Sequence, residues 1–139
     1  MKQLIEKLHR GNYSCVIANG KDIRTFSQKG VADLYDLLKN EPDFLKFAFV
    51  ADKVVGKAAA ALMILGEVEK VYTDVISTPA REILEQSNIF LQYEKEVPMI
   101  ENKDKTGMCP LETLIKNCSI AEEILPIIEN FISNIRKQS

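Results

Sequence analysis

Two short stretches carry residues whose types and positions could do chemistry. Lys57 follows Gly56 at the start of an alanine-rich apolar run, and Asp52 stands a few residues before it. A lysine at the mouth of an apolar helix can hold an anion, or act as acid or base when its pKa is lowered. Cys109 directly precedes Pro110. A thiol at a helix N-terminus favours the thiolate, so Cys109 is the candidate nucleophile and Lys57 and Asp52 are its candidate catalytic partners.

Each of these residues also has a purely structural interpretation. Asp52 could cap the helix that follows it, and Lys57 could extend its ammonium group to the surface. Cys109 could be a half-buried helix start, with Glu112 completing a capping box. The lone His9 falls on an amphipathic helix away from these stretches and is interpreted as a surface residue.

A ligand would be expected where helices begin after strands, because helix N-termini offer free backbone N–H groups. The sequence has three such corners, at 51–57, 77–81 and 105–112. The residues predicted to contact a small anionic or nucleotide-like ligand there are Gly56, Thr78, Lys105, Thr106, Gly107 and Glu112.

The elements that must position these corners follow from hydrophobic periodicity and turn residues. An amphipathic helix ends at Gly11, and Asn19-Gly20 predicts a hairpin with a type I′ turn. The later elements alternate between strands and helices; the predicted strands are 47–50, 71–76, 89–93 and an edge strand 97–100, and the predicted helices begin near 31, 58, 78, 110 and 120. This order predicts an α/β fold, a three-layer α/β/α sandwich with a mixed sheet.

The bulk composition narrows the possible classes of protein. A chain of 139 residues predicts one domain, 1–139. Its 18 basic and 20 acidic residues are interspersed, which argues against a nucleic-acid binder or a protein of anionic membranes. The sequence has no predicted membrane span, and its three cysteines lack CxxC spacing. Since no signal peptide or membrane span is predicted, we expect a cytoplasmic protein. With one histidine and no phosphate-loop, dinucleotide or metalloprotease motif, we expect no metal and no cofactor.

The stretch 47–84 resembles the cytidine deaminase-like fold, whose two strand–helix junctions carry zinc ligands and a catalytic glutamate. VVGKAAA and STPAREIL stand at the corresponding places. Val55 takes the place of the first zinc ligand, Lys57 that of the glutamate, and Ala80 and Ile83 those of two cysteines. The resemblance therefore implies a fold without the zinc site, in which hydrolytic deamination is absent.

Over nearly its full length, through ADKVVGKAAA and NKDKTGMCPLE, the chain resembles an uncharacterised bacterial and archaeal domain family assigned to that superfamily. Three functions stay open. The first is a metal-free enzyme acting on the anionic ligand, and the second is a non-catalytic binding or sensor domain. The third is a homodimer-forming module that uses an apolar stripe on the last helix: Ile124, Ile128, Phe131 and Ile135.

Overall fold

The structure is a computed structural model that describes residues 1–28, 31–100 and 109–138. The described residues form seven helices: α1 (Lys2–Arg10), α2 (Ala32–Asn40), α3 (Pro42–Leu45), α4 (Lys57–Leu65), α5 (Thr78–Glu85), α6 (Pro110–Leu114) and α7 (Ala121–Gln138). They also form five strands: β1 (Cys15–Asn19), β2 (Asp22–Phe26), β3 (Phe49–Val55), β4 (Lys70–Ser77) and β5 (Phe90–Val97).

The five strands form one mixed sheet in the order β2-β1-β3-β4-β5. β1 pairs antiparallel with β2 and β3, while β3, β4 and β5 run parallel. The α/β fold with a mixed sheet is thus confirmed. Because β3 and β4 are parallel, their carboxyl ends lie side by side, and the helices that follow them begin at the same end of the sheet.

The hairpin is also confirmed, with its turn one residue later than predicted. Asn19 pairs with Asp22, so the two loop residues are Gly20 and Lys21. Gly20 has a φ of +61°, and Lys21 has no positive φ. This arrangement fits a type II′ turn, which needs glycine only at its first central position, rather than the predicted type I′ turn.

The helices cover both faces of the sheet unequally. On one face α1 is the only helix among those that the structure describes, and its Leu4 and Leu8 bury Val16 and Ala51 of the sheet. On the other face α4 lies in the main core with residues of α2, α5, α6 and α7 around it. Residues 57–63 of α4 are all buried, so this helix has almost no solvent face. Its alanines and leucine suit that position, because they are strong helix formers without polar side chains to satisfy.

Two predicted elements differ from the observed ones. One strand, β5 (Phe90–Val97), stands where strands 89–93 and 97–100 were predicted. It ends immediately before Pro98, so residues 98–100 are not part of a strand. Proline has no N–H group and cannot extend the ladder. The short helix α3 was not predicted; Pro42 occupies its first turn, where a missing N–H group is tolerated.

Candidate functional site

The N-terminus of α4 is capped by a side chain from another helix. Its N-cap residue is Gly56, which has no side chain to accept a hydrogen bond. The carboxylate of Glu112, in α6, accepts the backbone N–H groups of Lys57 at 2.7 Å and Ala58 at 3.0 Å. Helix N-termini leave such N–H groups without intrahelical partners, so Glu112 fills the place that an anionic ligand would take.

The Lys57 side chain caps the C-terminal end of α6. Its ammonium group donates to the carbonyl oxygens of Ile115 and Lys116, each at 3.2 Å, and to that of Cys118. These carbonyl groups follow the last turn of α6. A buried ammonium group needs its hydrogen bonds satisfied, and Lys57 satisfies them with backbone oxygens. Glu112 and Lys57 therefore cap each other's helices, and we name this arrangement the reciprocal cap.

The reciprocal cap closes the corner that was expected to bind a ligand. A cavity of about 20 Å³ remains there, lined by Lys57, Ser77, Pro79, Met99, Ile100, Glu112 and Lys116. That volume is close to the minimum for one water molecule. In this closed arrangement, the corner has no room for a nucleotide-like ligand.

Gly56 is required at this corner for reasons of space. A Cβ atom on Gly56 would lie 2.7 Å from Glu112 Oε1 and 3.1 Å from Ile100 Cγ1. We therefore expect Gly56→Ala to displace the Glu112 carboxylate and to lower the free energy of unfolding by about 1–3 kcal/mol. Urea denaturation followed by far-UV circular dichroism measures this loss.

A double-mutant cycle provides the control for the Gly56 variant. In a Glu112→Ala background the carboxylate that the new Cβ atom would crowd is absent. Gly56→Ala should therefore lower the free energy of unfolding clearly less than it does in the wild type. Equal costs in both backgrounds would contradict the proposed clash.

Asp52 lies in the interior of β3 and is not the N-cap of α4, which corrects its structural interpretation. Its side chain is buried and faces the main core, where β3 pairs it with Cys15 of β1. Burial raises the pKa of Asp52 to about 7, although backbone hydrogen bonds from Val54 and Lys53 oppose the shift. Burial, followed by the Asp52 charge, also raises the pKa of the Cys15 thiol.

The other predicted site residues that the structure describes do not converge on an open pocket. Ser77 is the N-cap of α5, and its hydroxyl accepts the Ala80 N–H group. Thr78 instead donates to Glu96 at 2.7 Å. Cys109 is the N-cap of α6 as predicted and is half-buried; its role as a nucleophile stays a prediction. The predicted binding residues Lys105, Thr106 and Gly107 lie outside the described residues.

The apolar stripe of the last helix is largely used inside the chain. Ile124 and Ile128 of α7 are fully buried in the main core, and Phe131 packs against it. Ile135 is the member of the stripe that remains exposed. A dimer interface through all four residues would therefore require α7 to leave its own core.

A polar network that the sequence did not indicate ties α1 to β4. His9 Nε2 contacts the carboxylate of Asp74 at 2.8 and 3.0 Å, and the Tyr72 hydroxyl donates to the same carboxylate at 2.5 Å. His9 is thus half-exposed but also anchors its helix. Since His9 and Asp74 are 65 residues apart, no local pattern could have paired them.

An open groove of about 730 Å³ runs along α1 beside the hairpin, far larger than the closed corner. We name it the α1 groove. Its lining combines apolar side chains with a few polar ones: Met1, Gln3, Leu4, Glu6, Lys7, Arg10, Gly11, Tyr13, Ala18, Gly20, Ile23 and Phe49. This volume lies in the range of small-molecule sites. Sequence reasoning missed it because its walls come from α1, two hairpin strands and β3.

Two kinds of feature are absent from the residues that the structure describes. No group of three or more histidine, cysteine, aspartate or glutamate side chains among them is placed to hold a metal ion. None of their helices is long and apolar enough to cross a membrane.

Comparison with known proteins identifies a family. The family model of TM1506, domain of unknown function DUF1893, matches residues 3–132. The crystal structure of a DUF1893 family protein (TM1506) from Thermotoga maritima is similar at 25% sequence identity with a TM-score of 0.85, covering 93% of this chain and 87% of that one. No curated protein matches.

These findings correct the resemblance drawn from the sequence. The matching family model and the similar crystal structure both belong to DUF1893, and no cytidine deaminase-like family is shown. The residues at the supposed deaminase positions have other roles here, since Lys57 caps α6 and Ala80 is buried in the core. The chain belongs to the DUF1893 family of domains of unknown function.

Proposed function

We propose that this domain is a non-catalytic binding module whose ligand is a small molecule with an apolar body and an anionic group, held in the α1 groove. The observation that carries the proposal is the groove itself, whose size suits such a ligand. The closed corner at the start of α4 also supports the proposal, because it offers no alternative site for such a ligand. Both Lys57 and Glu112, the charged candidates there, are occupied by the reciprocal cap.

The apolar half of the ligand would lie on the groove's hydrophobic surfaces. Leu4 of α1 faces Ala18 and Phe49 of the sheet, and Tyr13 stands at the end of α1. Ile23 of β2 adds an apolar side chain that is 48% exposed. Covering such surface with a ligand removes it from water and favours binding.

The anionic half of the ligand would be held by Lys7 and Arg10. These residues are three apart on α1 and therefore lie on the same side of the helix. Both line the α1 groove, and within the described ranges neither has an ion-pair partner. A carboxylate, sulfonate or phosphate group can accept charge-assisted hydrogen bonds from them.

The experiment uses 8-anilinonaphthalene-1-sulfonate, an aromatic sulfonate, as the probe of this chemistry. We expect saturable 1:1 binding by the folded protein in fluorescence titration and calorimetry. Lys7→Ala/Arg10→Ala should raise the Kd about fivefold, because it removes both cations at the groove. Ile23→Ser should also weaken binding by removing apolar contact.

A charge-matched control separates the groove from general electrostatics. Lys116→Ala/Lys137→Ala removes two exposed cations that do not line the groove and should leave the Kd unchanged. An equal loss in both double variants, or fluorescence that never saturates, would overturn the groove as the binding site.

We place the domain in the cytoplasm as part of this proposal. Cys15, Cys109 and Cys118 are free thiols, and a reducing compartment keeps thiols in that form.

A further inference from the structure

One end of the sheet carries three phenylalanine side chains: Phe47 and Phe90 are largely exposed, and Phe49 packs partly against the small core under α1. Phe47 and Phe90 are each 63% exposed, and Phe49 is partly exposed. Phe49 begins β3, Phe90 begins β5, and Phe47 lies just before β3. We name this surface the phenylalanine patch. Large exposed aromatic side chains are uncommon on a monomer's surface and are enriched at protein interfaces.

Two lysines hold the rings of the patch. Lys70 of β4 is paired in register with Phe49 on one side and Phe90 on the other. Its ammonium nitrogen lies 5.0 Å from the centre of the Phe49 ring and 5.7 Å from that of Phe90. Lys46 lies 5.6 Å from the centre of the Phe47 ring. These distances are within the range of cation–π contacts, so each of the three rings has a lysine packed over it.

The backbone at Phe47 is in a conformation that glycine would adopt more easily. Its φ is +64°, and its N–H group donates to the carbonyl oxygen of Glu67, whose own φ is +59°. A bulky residue in the left-handed region is strained, and such strain tends to occur at functional sites. A phenylalanine there, with its ring in solvent, is therefore unexplained by the fold alone.

The charges around the patch indicate what covers it. Lys46 and Lys70 contribute two positive charges, and Glu67 and Glu69 contribute two negative ones. A nucleic acid or an anionic membrane would require a surplus of cations. A balanced set is instead complementary to itself, as a two-fold interface between identical chains requires. Lys46 Nζ and Glu67 Oε2 are 3.8 Å apart, and both side chains are exposed. In a two-fold dimer, each could therefore form an ion pair with the oppositely charged residue of the other chain.

We propose that a second copy of this chain covers the phenylalanine patch, giving a two-fold homodimer. The rings of Phe47 and Phe90 form its apolar centre, and the lysines and glutamates of the two copies pair around it. This surface is distinct from the stripe on α7, most of which is buried in its own core.

The test measures mass in solution by sedimentation equilibrium at about 100 μM protein, where a dimer with a micromolar Kd is populated. We expect the wild type to be dimeric and Phe47→Gly and Phe90→Glu to be monomeric. Phe47→Gly is the sharper variant, because glycine relieves the left-handed backbone and the folded state should be at least as stable.

Two variants of similar exposure serve as controls. Ile23→Glu changes the α1 groove, and Ile135→Glu changes the exposed end of α7; these side chains are 48% and 52% exposed. Both proteins should remain dimeric. A monomeric wild type, a dimer that survives Phe47→Gly, or a dimer lost in Ile135→Glu would each overturn the proposal.

Discussion

Glu112→Ala is expected to lower the free energy of unfolding by about 2–4 kcal/mol. The substitution leaves the N–H groups of Lys57 and Ala58 without their acceptor at a buried helix start. An unsatisfied buried donor costs about 1–3 kcal/mol, and losing a helix cap costs about 0.5–2 kcal/mol. Urea denaturation followed by far-UV circular dichroism measures the loss.

Two further variants test whether the loss of stability in Glu112→Ala comes from the lost helix cap. Glu112→Gln keeps an oxygen acceptor but not the charge, so its loss should lie between those of wild type and alanine. Glu82→Ala removes an exposed carboxylate from the middle of α5 and should change stability by no more than about 0.5 kcal/mol. If Glu112→Ala behaves like Glu82→Ala, the carboxylate does not cap α4 in solution.

Asp52→Asn is expected to remove a pH dependence of stability. The pKa of Asp52 is about 7 in the folded protein, whereas its ordinary value is 3.8. The folded state therefore binds the proton more tightly than the unfolded state. The contribution of Asp52 to the free energy of unfolding should be most favourable below about pH 4. It should fall by up to about 4 kcal/mol as the pH rises to 7.

The asparagine variant carries no titratable group at this position. Between pH 4 and 8, position 52 should therefore add no pH dependence to the variant's free energy of unfolding. At pH 8 the free energy of unfolding of the variant should be higher than that of the wild type by about 2 kcal/mol. This gain in stability is smaller than the roughly 4 kcal/mol lost by ionising Asp52, because the buried amide of Asn leaves a hydrogen-bond donor without a partner. Asp43→Asn, at an exposed position of α3, should keep the wild-type profile. Parallel profiles for all three proteins would refute the buried ionisation.

Local sequence signals predicted the elements whose cause is local. The Asn19-Gly20 pair located the hairpin, and the alanine-rich run located α4. Asp52 was misread for a physical reason. An acidic residue after an apolar run is typical of a helix cap, but β3 continues through it because β1 and β4 pair with it on both sides. Pairing with neighbouring strands overrides the local signal.

The arrangement of the candidate site depends on contacts between distant residues. Lys57 and Glu112 were both singled out from the sequence, and the structure does bring them to one corner. Their separation of 55 residues hides the fact that Glu112 accepts from the backbone at the start of α4, whereas Lys57 donates to backbone carbonyl groups that follow α6. The α1 groove depends in the same way on where α1 settles across the sheet, which hydrophobic periodicity alone does not specify.

The nearly complete burial of α4 has a consequence for synthesis on the ribosome. Its apolar surface is shared between the sheet, α2 and later helices, and α7 provides part of the cover through Ile124 and Ile128. While the nascent chain ends between α4 and α7, the part of that surface that α7 covers has no partner from its own chain. An exposed apolar helix of this kind is what chaperones bind, so release from them should await the arrival of the last helix.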